Sequence, residues 1–203
     1  MIFTSKLLKL LLLASTTLVL VLPARSATVD VGGVKVDEAL TIYNNTLMLN
    51  GAGLVSNGKV PSYVVQIYAK QKFKNIDQLI AAPGPKRLVL TAVKEVDMGP
   101  IVKMFNRSVN ETAGKSDRAK LIPGLMSIGE VFKSNPILKP GVIMTMDWVP
   151  ISGLVIYIGG KLQGQPYRDA ELFKAAMWIW MGKFPVDPKV KDALLGGSGR
   201  ERT

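Results

Sequence analysis

The stretch Leu49–Lys70, LNGAGLVSNGKVPSYVVQIYAK, decides how the chain is read. It opens on two glycines flanking one small residue, as a dinucleotide-binding loop does. That motif works only as strand, G-x-G-x-x-G, then helix, because the helix N-terminus and its free amides take the phosphate. Here the third glycine position is Ser56, and Asn57-Gly58 makes a turn. The next segment, Pro61 to Lys70, is rich in Val, Ile and Tyr, which is strand chemistry. With no helix to receive a phosphate, nucleotide binding is excluded. Gly51 and Gly53 are then expected to permit a bulge or a close backbone approach. The expected setting is a bent strand at the edge of a ligand cleft.

Working outward, the flanking segments extend a β-rich pattern. Upstream, TVDVGGVKV alternates apolar and polar residues around Gly32-Gly33, the signature of a hairpin. NTLMLNGAGLV then reads as one bent strand. Downstream, a short helix over Ile76–Ala82 is broken by APGP, and Lys86 to Val93 returns to strand. The middle is helical. Asp97 caps a helix over Met98–Thr112, with Ile101, Met104, Phe105 and Val109 as its apolar stripe. Ser116 or Asp117 caps a second helix towards Phe132, which Pro123-Gly124 should kink or interrupt. Two further strands, PGVIMTMDWV and SGLVIYIGGKLQG, precede a helix from Asp169 to Met181 that Gly182 ends, and Pro188 opens a last short helix. Strands, a helical insert, strands, then helices make an α+β order with a largely antiparallel sheet and helices on one face. No internal repeat divides it, so a single domain is expected over 27–196, with 197–203 (GGSGRERT from Gly196 on) as a flexible tail.

The first 26 residues have a different character. Lys6 and Lys9 precede an apolar run from Leu10 to Leu22, Pro23 breaks it, and small residues follow. That is the layout of a secretory signal peptide, with cleavage expected near Ser26 or Ala27. The run is short of the ~20 residues a membrane span needs. An uncleaved anchor is the alternative. The expected destination is the periplasm or the exterior, in line with a chain of 203 residues that carries no cysteine and relies on its core rather than on disulfides.

Histidine is absent as well. That removes the commonest general base, the commonest metal ligand and any Ser–His or Cys–His nucleophile pair. Structural zinc and transition-metal sites are excluded with it, and no cofactor is expected. The net charge of +11 falls to +8 once Lys6, Lys9 and Arg25 are removed. A basic surface suits an anionic membrane surface or an acidic protein as partner. Nucleic acid is not expected, because no aromatic-rich basic motif accompanies the charge. Lys103, Arg107, Lys115, Arg118 and Lys120 gather near the middle helices. They form a solvated face or a carboxylate anchor at a pocket mouth. AAMWIWMG, within the Asp169–Met181 helix, carries Met and Trp at helical spacing. Such a run builds a core, or one wall of a pocket for a hydrophobic ligand.

Two blocks in this order, LNGAGLVSNGKVPSYVVQIYAK and FKAAMWIWMGKFPVDPKVKDALLG, with KPGVIMTMDWVPISGLVIYIGG ahead of the second, resemble the chalcone isomerase-like superfamily. Within it they resemble most closely the secreted bacterial branch. The resemblance implies an open-faced β-sandwich: a large antiparallel sheet covered on one face by helices, with the ligand in the cleft between them. In catalytic members an Arg follows the glycine turn, a Thr lies on the next strand, and a Ser or Thr lies on the late helix. Those positions here are Val55, Tyr63 and Phe173. Val55 cannot stabilise developing negative charge, which is usually the largest catalytic contribution. No catalytic residue is therefore assigned. The resemblance then implies an exported, non-catalytic protein that holds a small hydrophobic or amphipathic ligand, fatty acid-like. Tyr63, Tyr68, Met104, Asn106, Phe173 and Met177 are the expected ligand-binding residues, with Tyr63 or Tyr68 as the polar handle. The alternative is an isomerase or intramolecular lyase acting on another substrate.

Overall fold

The computed structural model describes residues 27–197. The proposed signal segment therefore lies outside the described residues. The chain begins with a hairpin of β1 (Thr28–Val31) and β2 (Val34–Asp37), joined through Gly32 and Gly33, both at positive φ. β3 (Ala39–Ile42), β4 (Asn45–Asn57), β5 (Val60–Ala69), α1 (Ile76–Ala81) and β6 (Lys86–Ala92) follow. The helical insert is α2 (Met98–Thr112) and α3 (Lys115–Ser134), pinched at its base by the two-residue strands β7 (Val96–Asp97) and β8 (Ile137–Leu138). The chain then returns as β9 (Ile143–Val149), β10 (Gly153–Ile158) and β11 (Lys161–Tyr167), and closes with α4 (Ala170–Met181) and α5 (Pro188–Leu194).

Seven strands form one sheet in the order β11-β10-β9-β6-β5-β4-β3, antiparallel throughout. Its two faces are covered differently. Val55, Tyr63, Val65, Ile67, Leu88, Leu90, Met144, Met146, Leu154 and Ile156 point to the helices and form the main core with α2, α3, α4 and α5. Leu47, Leu49, Val64, Tyr68 and Val89 point the other way and pack against Val36 and the flanking valines of the β1–β2 hairpin. The α+β expectation, with helices gathered on one face, holds. The alternation of strand side chains assigns each residue to its layer.

The glycines of the opening stretch have two separate jobs. The β4–β5 register steps from Leu49↔Tyr68 to Gly51↔Ile67, so Asn50 is the extra residue of a bulge. The bulge swaps the faces: Leu47 and Leu49 before it, and Ala52 and Leu54 after it, all reach the hairpin layer. On the other face α5 lies directly on β4. A Cβ on Gly51 would overlap the Ala193 carbonyl oxygen, and one on Gly53 would lie 3.2 Å from the Val190 Cα. The expected setting at the edge of a ligand cleft is corrected here: the two glycines seat the last helix.

Asn50 completes that junction. Its amide donates to the Phe73 and Leu194 carbonyls at 3.1 and 2.7 Å, and its carbonyl accepts from the Phe73 N–H at 2.9 Å. One buried side chain thereby ties β4 to the β5–α1 loop and to α5. Caps fall largely where expected, with Asp97, Asp169 and Asp187 each accepting amides of the first helical turn. Two local expectations fail. α3 starts at Lys115 behind Gly114, with no side-chain cap, and runs unbroken through Pro123. Pro123 sits on the exposed side. There the carbonyl that loses its partner, four residues back at Ala119, is solvated, so the helix continues.

Candidate functional site

The layer between sheet and helices is the expected place of the pocket. Tyr63, Phe173 and Met177 all lie in it, each at least 96% buried. Val55 and Tyr63 face each other across the β4–β5 ladder. The Tyr63 hydroxyl accepts a hydrogen bond from the Trp180 indole at 3.1 Å. Burial pushes the Tyr63 phenol up to about 12, against a smaller lowering by that indole bond. Phe173 packs its ring against Trp148, centroids 5.9 Å apart. So the three positions that match catalytic groups in the resemblance hold a valine, a phenol engaged by an indole, and a phenyl ring in van der Waals contact. None presents a cation or a free general acid near neutral pH.

The other expected residues fall elsewhere. Met104 is half-buried on α2 against the core, whereas Asn106 is exposed on the outer side of that helix. Tyr68 lies on the opposite face of the sheet from Tyr63, because five residues along a strand reverse the side. Its hydroxyl lies 2.9 Å from the Asp37 carbonyl and 2.8 Å from Gln66 Oε1. Tyr63 and Tyr68 cannot serve one cleft together, and of the two only Tyr63 touches the helix layer.

Methionine is the recurrent lining of that layer. Met98 from α2, Met144 and Met146 from β9, and Met177 and Met181 from α4 are all buried in it. AAMWIWMG is core on every side, since Ala175 through Met181 are all buried. The weakest wall is α3. Only Leu121, Ile128, Val131 and Phe132 of its twenty residues are buried, and Ile122 and Met126 face solvent. The basic cluster is a solvated surface. Arg107 pairs with Glu111 at 2.8 Å, Lys120 with Asp117 at 3.4 Å, and Arg118 donates to the Asn110 carbonyl.

The opposite face carries polar groups that belong to no sequence motif. Arg87 on β6 grips Asp147 on β9 through two hydrogen bonds of 2.7 and 2.6 Å. Asp147 is fully buried, and it also accepts from the Tyr43 hydroxyl at 3.0 Å. Burial pulls Arg87 down, but its bonds to Asp147 outweigh that and raise it, so the guanidinium stays charged. Tyr43 is raised by burial first, then by its contacts with Tyr157 and Asp147. The signal that marks this cluster is a charge inside a strand: Arg87 and Asp147 each stand within a run rich in buried apolar residues. Lys86, one residue before Arg87 and facing the helices, is also buried. It donates to the Ala82 and Gly84 carbonyls, and desolvation lowers its pKa.

Two cavities open at the surface, of about 450 and 490 Å³. The first lies on the open face between Tyr43, Arg87, Thr145 and Tyr157. The second lies at the helix ends between α1, the α2–α3 turn and α4, beside the Lys174–Asp77 ion pair. None of the six expected ligand residues lines either one. Among the described residues no cluster of His, Cys, Asp and Glu could hold a metal ion, and no helix is long and apolar enough to cross a membrane.

A curled antiparallel sheet with helices on one face also describes a solved structure, a fatty-acid binding protein of Arabidopsis thaliana. It superposes with a TM-score of 0.60 at 19% identity, over 81% of this chain and 92% of that one. The likeness establishes the fold. The family model described as chalcone isomerase-like matches residues 28–196, and the chain belongs to that family. No curated protein sequence matches it.

Proposed function

We propose that this protein is a non-catalytic member of its family that holds a small hydrophobic or amphipathic molecule, fatty acid-like, between the sheet and the helices. The observation that carries the reading is the content of the three positions named above. Val55, Tyr63 and Phe173 pack into one apolar core and leave no group to stabilise a developing anion. The fatty-acid binding of the Arabidopsis structural neighbour supports the ligand class. The methionines support the means. Unbranched thioether side chains re-pack around an irregular guest at low cost, and outward movement of sparsely buried α3 admits it. The isomerase alternative has no specific observation in its favour. The proposal extends to place: the N-terminal run reads as an export signal, and the family branch it fits is the secreted bacterial one.

The test is direct. Protein purified from its own host under native conditions is analysed by mass spectrometry for co-purifying lipid, then delipidated and titrated with palmitate. Stoichiometric lipid and saturable palmitate binding are expected, and Met177→Trp, which fills the layer, should abolish the binding. Absence of both, or chalcone ring closure faster than the spontaneous rate, overturns the proposal.

A further inference from the structure

The open face of the sheet holds a cavity, and its geometry follows from curl. Tyr43 belongs to the two-residue turn between β3 and β4, at one end of the sheet, and Asp147 lies on β9, four strands away. Flat strands at about 4.8 Å spacing would separate them by roughly 19 Å. Their hydrogen bond at 3.0 Å means that the sheet closes on itself towards this face. The concavity so formed is the 450 Å³ cavity, bordered by Ile42, Tyr43, Arg87, Ile143, Thr145, Tyr157 and Gly160. That volume is in the range of small-molecule sites.

Three observations define what would fit. Thr145 borders the cavity, and its Oγ1 is buried with no hydrogen-bond partner among the described residues. Buried hydroxyls are nearly always paired, and an unpaired one calls for a partner. Presenting this hydroxyl to the cavity takes a rotation about χ1 to another staggered position. The Arg87 charge is already neutralised by buried Asp147, yet one edge of the guanidinium is not used in that pair. The remaining walls are apolar, from Ile42 and Ile143. Tyr43 itself sits at φ 47°, a left-handed conformation costly for an aromatic residue, and holds its ring at the rim.

We propose that this cavity binds a small, uncharged, largely apolar molecule bearing a hydroxyl group, of which phenol is the probe, with the hydroxyl between Thr145 Oγ1, the Tyr157 hydroxyl and the free edge of Arg87. A hydroxyl donates and accepts, so it satisfies Thr145 in either sense and still accepts from Arg87. An anion gains little here, because Asp147 cancels the guanidinium. The site is independent of the sheet–helix layer, which lies on the other side of the sheet.

The experiment is an amide-resolved NMR titration of the folded protein with phenol, toluene and benzoate. Phenol should shift residues 42–43, 87, 143–145 and 157–160 saturably. Toluene and benzoate should bind at least about five-fold more weakly, the size of one lost hydrogen bond. Thr145→Val should weaken phenol by a similar factor, Thr145→Ser should not, and palmitate binding should be unchanged in both. Preserved amide dispersion separates loss of binding from loss of fold. Shifts that do not saturate, benzoate or toluene matching phenol, or a Thr145→Val protein that binds phenol like the parent each overturn the assignment. Loss of palmitate binding alone leaves this site standing and counts only against the function proposed above.

Discussion

The two faces of the central sheet solve different problems with the same strands. The helix face is closed by helices, and from the sheet it takes the buried Tyr63 hydroxyl, matched to the Trp180 indole. The open face is only partly roofed by the β1–β2 hairpin, and it carries Gln66, Tyr68, Arg87, Thr145, Asp147 and Tyr157 on alternate positions of the strands. The lesson lies in the phase. Leu88 and Leu90 could be exchanged for other apolar residues with modest loss, whereas Arg87, between Lys86 and Leu88, has a bidentate partner whose geometry no other residue reproduces. Shape holds one face together and directed polar contacts organise the other.

The largest effect expected from breaking this contrast comes from the junction of the helix face with α5. Gly51→Ala places a methyl in the Ala193 carbonyl and should cost at least ~3 kcal/mol or expel α5. Gly53→Ala, with 3.2 Å available, should cost about 1 kcal/mol; urea denaturation ranks the two, and equal losses would mean that α5 is not seated as described.

Next comes the open face. Asp147→Asn leaves Arg87 partly buried without its counter-ion. Because the Arg87 side chain keeps 22% exposure, the cost should fall at or below the lower end for buried pairs, about 2–3 kcal/mol. Replacing both partners with leucine should be milder than either single change, and thermal denaturation of the three variants checks it.

A smaller effect sharpens the helix-face half of the comparison. The Tyr63 phenol titrates near 12 when folded against 10.0 when free. The folded state therefore keeps a proton that the unfolded state loses, so stability is intact below pH 10 and falls as pH rises towards 12. Tyr63→Phe should lower stability by ~1 kcal/mol at neutral pH and flatten the alkaline decline; an unchanged slope in melting temperature against pH would show that the decline comes from other groups. The smallest change expected is at the solvated helices: Lys120→Ala, which removes an exposed ion pair with Asp117, should stay within ~0.5 kcal/mol.

Much of the architecture was legible before any coordinates. Period-two runs located β5, β6, β9 and β10, and Asp97, Asp169 and Pro188 marked helix starts because capping chemistry is local. β3 escaped, since ALTI is short and its turn uses Tyr43-Asn44 at positive φ without glycine. The site was less legible than the fold. The sequence offers Tyr63 or Tyr68 as the polar handle of one cleft, and strand parity puts the two on opposite faces. The sequence does not reveal the role of Gly51 because its neighbour, Ala193, comes from 142 residues later in the chain. Asp147 was passed over because its partners, Tyr43 and Arg87, come from two other segments.

The seat of α5 on β4 also imposes an order of events in time. Asn50 and Leu194 are 144 residues apart. At ordinary ribosomal speeds of ~5–20 residues per second, roughly 7–29 s separate their synthesis. Throughout that interval β4 carries a glycine-floored groove with no occupant, so the nascent sheet has no completed helix face. The final turn of the last helix acts as a latch, and a chain halted before it would leave the Asn50 amide without its Leu194 acceptor. Closure of this junction therefore waits until α5 has been made.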